Sequence, residues 1–277
     1  MLDVMGLLQA AKIDTHCHIW PGAEVEESAR RLITAGRMLG ITEYWCSAPI
    51  TEPNGSWADI VKANDAILWA MEAFPDAIRG LCFVIPGYFK AALAEVKRCL
   101  DAGMIGVKLY HQYKIQDPAV WPVIELCIEY QVPILMHAGY LTDPATLARQ
   151  PRISHGADFA AISARYPEAL LINAHIGGGG DWEWTIRALR DASPQVYVDV
   201  AGSNLDDGQV EYAVEQLGVE RVLFATDGTM AGCVGKVLEA DLTEEQKQAI
   251  FYGNAAKLLA LQGKRPLAEG VKGGGKR

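Results

Sequence analysis

The sequence predicts a single-domain (β/α)8 TIM barrel. Three observations carry this reading. Eight short, apolar, β-rich runs recur along the chain, helical stretches separate them, and a length of 277 residues suits one barrel of this kind. The runs are "KIDTHCHIW", "ITEYWCSAP", "AIRGLCFVIP", "MIGVKLY", "VPILMHAG", "ALLINAHIG", "QVYVDVAG" and "RVLFATDG". Each is almost continuously apolar, as a parallel strand covered on both faces must be, and most end in Gly, Pro or a polar turn residue. After the first run, "EVEESARRLITAGRMLG" carries apolar positions at helical spacing and stops at Gly40. "DPAVWPVIELCIEYQ" opens with Asp117 as N-cap and Pro118 at the first helical position. "LTEEQKQAIFYGNAAKLLALQ" opens with Thr243 and Gln246 in capping-box spacing. Strands alternating with helices imply right-handed crossovers and a parallel sheet. A doubly wound open sheet would place a glycine-rich turn after its first strand, and "THCHIWPG" lacks one. The barrel is expected over residues 12–262, after a leading segment at 1–11 and before a flexible Gly- and Lys-rich tail at 263–277.

Composition narrows the function classes. Hydrophobic residues make up 50% and charged residues 21%, which supports a sizeable core and argues against disorder. A net charge of -9 repels polyanions, so no nucleic-acid partner is expected. No apolar run is long enough to cross a bilayer, and the start has no basic leader, so the expected setting is cytoplasmic with no membrane partner. The six cysteines form no C-x-x-C pair and lie mostly in apolar segments, the pattern of reduced core residues. The expected partner is a small-molecule substrate, with a homodimer open as the oligomeric state.

A barrel converges the inward side chains at the C-terminal ends of its strands on one site. The polar residues within these apolar runs are few: Asp14, His16, His18, Lys108, His137, His175, Asp199 and Asp227. His16 and His18 lie two apart on one strand and share a face, while Cys17 points the other way. Neutral imidazoles ligate zinc and similar divalent ions. Buried charges cost several kcal/mol unless paired or metal-bound, so a cluster at matching strand ends points to a metal site.

The glycines at 177–180 follow His175. They read as a backbone that turns sharply beside a crowded site, since a phosphate cradle would ask for a Lys-Ser/Thr partner and "GGGGDWEW" offers Asp181. Arg152 and His155 in "QPRISHGADF", with Tyr140 just past the fifth strand, are expected to hold an anionic substrate. A helix cap or a solvated loop is the alternative reading for the first two. His111 is expected in a loop, at the surface by default with a pocket-rim place as the alternative, and "DWEWTI" reads as helix packing.

The segments "DTHCHIW", "GVKLY", "ILMHAG", "NAHIGGG", "LFATDG" and "YGNAAKLLAL" occur in this order across residues 12–262. Together they resemble the amidohydrolase superfamily, specifically its amidohydrolase-related ("amidohydrolase 2") branch. That resemblance implies a metal-dependent barrel with His16, His18, His137 and Asp227 as ligands. It makes His175 a further ligand or a catalytic histidine facing the substrate. One zinc ion is the implied cofactor, with manganese as the alternative metal. In the binuclear alternative His175 and a carbamylated Lys108 would hold a second ion; otherwise Lys108 faces a substrate carboxylate or a buried acid. The chain departs from the branch twice: "FATDGTM" lacks its Ser before and Pro after the aspartate, and no long insertion follows the first strand. The pocket is therefore shallow, or completed by a neighbouring subunit.

The implied chemistry is hydrolysis of an amide, lactone or ester of a small carboxylate-type substrate by metal-activated water. Asp227 would move the proton, His175 would polarise the carbonyl, and Lys108 completes the catalytic set. The same branch performs non-oxidative decarboxylation with the same residues. The short first loop favours the hydrolase, and a non-catalytic metal-binding scaffold is the third reading.

Overall fold

Eight strands lie side by side in sequence order, and each runs parallel to the one before it. They are β1 (Lys12–His18), β2 (Ile41–Ser47), β3 (Ile78–Phe83), β4 (Gly106–Leu109), β5 (Ile134–Met136), β6 (Leu171–Asn173), β7 (Val196–Asp199) and β8 (Val222–Leu223). The computed structural model describes residues 4–22, 24–176 and 181–267. The seam between β8 and β1 is crossed by hydrogen bonds: Thr15 N–H donates to the Phe224 carbonyl at 3.1 Å and Asp227 N–H to that of His16 at 2.9 Å. The ring is thus nearly closed, the architecture of a (β/α)8 barrel. All eight expected runs contain one of these strands.

The α-helices are α1 (Val4–Gln9), α2 (Val25–Arg37), α3 (Trp57–Ala73), α4 (Lys90–Asp101), α5 (Trp121–Glu129), α6 (Pro144–Arg149), α7 (Gly156–Arg165), α8 (Trp182–Leu189), α9 (Gln209–Leu217), α10 (Met230–Glu239), α11 (Glu244–Gln248) and α12 (Asn254–Leu261). In α2 the buried residues Ala29, Ile33 and Gly36 form one stripe, while Arg30 and Arg31 pair with Glu26 and Glu27 on the wet face. Gly40 ends that unit at φ +76°, where a Cβ would stand 2.5 Å from the Ala10 carbonyl oxygen, so only glycine fits.

Two helical stretches differ from the pattern in the sequence. The Asp117 carboxylate does cap the Ala119 N–H at 3.0 Å, but Pro118–Val120 is a 3-10 turn and the α-helix starts at Trp121. Pro122 explains this, because it has no N–H to return to the carbonyl of Pro118. At the other stretch the Thr243–Gln246 capping box forms as expected. A π-helical turn at Ala249–Gly253 then separates α11 from α12. Past that turn the Asn254 amide donates to the carbonyls of Val219 and Val222, at 2.7 and 2.8 Å.

Burial divides into two main layers. The outward strand residues and the helices form one core that includes Cys17, Tyr44, Cys82, Val107, Met136, Leu171, Val198 and Phe224. The inward residues Ile13, Trp45, Leu81, Leu135, Ile172 and Leu223 form a second, sealed by Leu258 and Leu259 of α12. All six cysteines are free and buried, in line with the reading of reduced core residues.

Candidate metal centre

The β1–β2 ladder pairs Asp14 with Tyr44 and then Cys17 with Cys46, so β1 carries one residue more than its partner over that step. Such a bulge changes which residues face inward. It lets Ile13 pack in the barrel interior while His16 and His18 also face the site and Cys17 packs outward. The two imidazole rings lie 5.1 Å apart and nearly perpendicular. The His18 Nε2 is 3.1 Å from Asp227 Oδ1, and the His16 Nε2 is 3.9 Å from the same oxygen. His16, His18 and Asp227 offer one ligand atom each within 4.8 Å of one another, the only such group among the described residues. Asp227 reaches this place from a backbone at φ +45°, past the end of β8. Few non-glycine residues adopt such a backbone, and aspartate is among those that tolerate it.

The chemistry of these donors fits a divalent cation. Asp199, the last residue of β7, sets its Oδ2 3.1 Å from His16 Nδ1. A carboxylate only accepts, so Nδ1 carries the hydrogen and the Nε2 lone pair faces the cluster. A carboxylate–histidine pair of this type orients metal-ligating imidazoles. The His18 Nδ1 lies 3.3 Å from the Ser47 carbonyl oxygen. The Ser47 hydroxyl lies 3.2 Å from the same nitrogen, and in the tautomer whose Nδ1 donates to the carbonyl, Nε2 and the Asp227 carboxylate are two acceptors that a shared cation would satisfy.

His137, immediately after β5, stands outside this triangle. Its Nε2 is 2.9 Å from the Gln150 amide oxygen and its Nδ1 is 3.0 Å from His175 Nε2. Both nitrogens are therefore engaged, and the Tyr110 ring stacks on the imidazole at 4.1 Å. His175 sits two residues beyond β6 at φ +38°, its ring stacked on His16 at 5.6 Å. Its Nδ1 is buried with no partner among the described residues. Lys108 on β4 is fully buried, and its ammonium donates to His16 Nε2 at 2.7 Å. Four of the expected residues, His16, His18, His175 and Lys108, thus surround Asp227 or one another directly, and His137 joins through His175.

Burial sets the electrostatics. It lowers the pKa of His16, His18 and His137, with the Lys108 charge adding to the effect, so these imidazoles are neutral near pH 7. Burial likewise brings His175 down to about 4, and Lys108 down to about 8. Burial alone would raise Asp227, but the facing His16 and His18 outweigh it and hold the carboxyl well below the usual carboxylate range. Asp14 sits behind the site. Burial pushes its carboxyl up to about 7, against hydrogen bonds from Thr226 and the His16 N–H.

The remaining expected residues lie on the loops after β5, where the Tyr140 and His155 rings meet edge to face at 5.7 Å. His155 is the N-cap of α7, where its N–H donates to Asp158 Oδ2 at 3.0 Å. Tyr140 is exposed and stacks with Trp184. Arg152 lines a separate cavity of about 470 Å³ beside the histidines. His111 lies in a loop, as expected, and takes the pocket-rim place instead of the surface one: it is buried, lines the same cavity, and sets its Nε2 2.9 Å from the Thr51 carbonyl oxygen, tying the loop after β4 to the one after β2. The glycines at 177–180 lie outside the described residues. Sequence reasoning assigned no role to Asp199, although a lone acid ending "VYVD" was the available signal. Gln150 carried no signal, since only the fold brings it to His137.

The barrel and this cluster define the class: a (β/α)8 protein with a histidine–aspartate site at the C-terminal ends of its strands. The family model described as amidohydrolase ("Amidohydro_2") matches residues 13–261. The chain belongs to the amidohydrolase family. Its fold is similar to that of a dihydroxybenzoic acid decarboxylase from Polaromonas sp. JS666 with bound manganese and the inhibitor 2-nitroresorcinol, at TM-score 0.69 and 16% identity over 91% of this chain and 97% of that one. A 2,6-dihydroxybenzoate decarboxylase from Rhizobium aligns at TM-score 0.66 and 16% identity, over 91% and 98%. A 4-oxalomesaconate hydratase from Rhodopseudomonas palustris aligns at TM-score 0.68 and 19% identity, over 95% and 98%. No curated protein matches the sequence. Among the described residues no helix is long and apolar enough to cross a membrane.

Proposed function

We propose that the chain is a divalent-metal-dependent hydrolase that opens an amide, lactone or ester of a small carboxylate-bearing substrate. His16, His18 and Asp227 would hold the ion; His137, the fourth protein ligand the family resemblance implies, would have to release Gln150 or His175 to join them. One zinc is the proposed cofactor, with manganese the alternative. When bound, such an ion acidifies water toward a pKa of about 7 and polarises a carbonyl. The single observation that carries the reading is the placement of Asp227. Its ionised carboxylate is 30% exposed, so it borders both the histidine pair and the solvent that supplies water.

The other steps belong to side chains. Asp227 takes a proton from the attacking water and returns it to the departing nitrogen or oxygen as the carbon–heteroatom bond breaks. Lys108, charged below about pH 8, and the neutral His175 face the oxygen that gains negative charge. Asp199 keeps the His16 ring in orientation. The loop from the end of β1 at His18 to the start of α2 at Val25 is short, the departure from the branch that favours the hydrolase.

The test is reconstitution with zinc or manganese followed by a panel of lactones, amides, esters and hydroxybenzoates. Hydrolysis that stops on chelation supports the proposal. Release of CO₂ from a hydroxybenzoate, with no turnover of the other classes, overturns it in favour of a carboxy-lyase. A chain that takes up neither ion overturns both, and one that takes up an ion but turns over none of these substrates is the metal-binding scaffold.

A further inference from the structure

Beside the histidine cluster lies the cavity of about 470 Å³ that Arg152 lines. That volume is in the range of small-molecule pockets, about 300–1,000 Å³. It is built from the loops after four consecutive strands, β2 to β5, at the C-terminal face. Its walls are flat: the rings of Tyr88, His111 and Tyr113, with Pro53 and Pro151. These walls are tied down. The Tyr88 hydroxyl donates to the Gly55 carbonyl at 2.8 Å, and His111 is held on Thr51 at 2.9 Å. Gly87 packs so closely on Tyr113 that a Cβ there would fall 2.2 Å from the phenol oxygen.

The formal charge in this cavity has one sign. Arg152 is the only formally charged residue among those that line it. Its guanidinium lies over the Tyr113 ring at 5.6 Å, and its one hydrogen bond among the described residues is a long 3.5 Å contact to the Gln112 carbonyl. Among the described residues no acidic side chain pairs with it. The Tyr113 hydroxyl likewise has no acceptor among the described residues. A guanidinium with no acidic partner and a hydroxyl with no acceptor among the described residues, between flat walls in a protein of net charge -9, describe a seat for a flat anion. The seat also adjoins the reaction centre, because the His111 ring that lines it is 6.5 Å from that of His137.

We propose that this cavity binds the carboxylate end of a ring-bearing substrate, with Arg152 and Tyr113 as its donors and the reacting bond directed past His111 toward His137. This rests on the hydrolase reading for its substrate but not for its binding chemistry. It separates Arg152 from His155 and Tyr140, which serve a helix cap and an aromatic stack.

The probe is benzoate, with benzamide as its neutral counterpart, titrated by calorimetry into the full-length protein as purified and after dialysis against EDTA. Benzoate should bind under both conditions, at least ten times more tightly than benzamide. Arg152→Ala should weaken benzoate at least tenfold and leave benzamide unchanged, and Tyr113→Phe should weaken benzoate by a smaller factor. Equal binding of the two probes, full affinity in Arg152→Ala, or loss of binding on EDTA dialysis would each overturn the proposal. The last would place benzoate on a metal ion. If the binding pattern holds while the holoenzyme hydrolyses nothing, the subsite stands and the hydrolase reading falls. If a lactone or ester bearing a ring carboxylate is hydrolysed with an unchanged KM in Arg152→Ala, the hydrolase stands and the subsite falls.

Discussion

Lys12 and Lys108 lie at opposite ends of the same barrel, and both are fully buried. Burial brings each ammonium down to about pKa 8. Their partners differ. Lys12 donates to three carbonyl oxygens, those of Leu7, Leu8 and Ala10, at 2.8 to 2.9 Å, and lies over the Phe251 ring. Lys108 has His16 Nε2, and its charge faces Asp227 and Asp199. The comparison teaches that burial alone does not mark a functional residue. A buried lysine saturated by backbone carbonyls closes the end of α1 and holds the fold. One whose partners are themselves titratable belongs to the chemistry.

Four substitutions or titrations would break or sharpen this contrast. The largest effect is expected at the open end: Asp227→Asn should lower kcat/KM by about a thousandfold while leaving the thermal midpoint nearly unchanged. Comparable losses of stability and activity would mean that the carboxylate is structural. At the closed end Lys12→Met should cost about 3 kcal/mol of unfolding free energy, because it strands buried carbonyls, and residual protein should keep its turnover. Denaturant titration beside a rate assay separates the two.

Lys108→Met should do the reverse. Turnover drops by about a hundredfold, and stability stays within about 1 kcal/mol, since replacing a buried charge by an apolar group of similar size is often neutral. The smallest effect is a pH limb. The folded-state pKa of Lys108 is lowered from 10.5 to about 8, so the ammonium is present below that value and lost above it. Activity that needs the charge should be full below pH 8 and fall by about tenfold per unit above it. Lys108→Arg should remove that limb, because guanidinium stays charged. A limb unchanged in Lys108→Arg would assign it to another group.

How much was legible in the sequence depended on how local the cause was. The eight strands announced themselves through apolar runs and their turn residues, and the Thr243 and Asp117 caps through spacing of three and two residues. The π-helical turn inside "QAIFYGNAA" had no such signal, because what accompanies it is a pair of Asn254 hydrogen bonds to carbonyls 32 and 35 residues away. His111 looked like a surface histidine because its partner, the Thr51 carbonyl, is 60 residues distant. In β1 the histidine spacing correctly placed His16 and His18 on one face. The bulge that lets Ile13 face inward as well is visible only against the register of β2.

By itself the sequence determined the number and order of the strands and the residue types that gather at their C-terminal ends. Those follow from periodicities of two and 3.6 residues, which act over one element at a time. Only the tertiary structure decided which nitrogen of each histidine faces the cluster and which is spent elsewhere. It set His16 Nδ1 on Asp199 across 183 residues of chain, and turned both nitrogens of His137 to Gln150 and His175. Ring orientation is set by whichever donor or acceptor closure of the barrel brings near, and no local pattern in the chain encodes that neighbour.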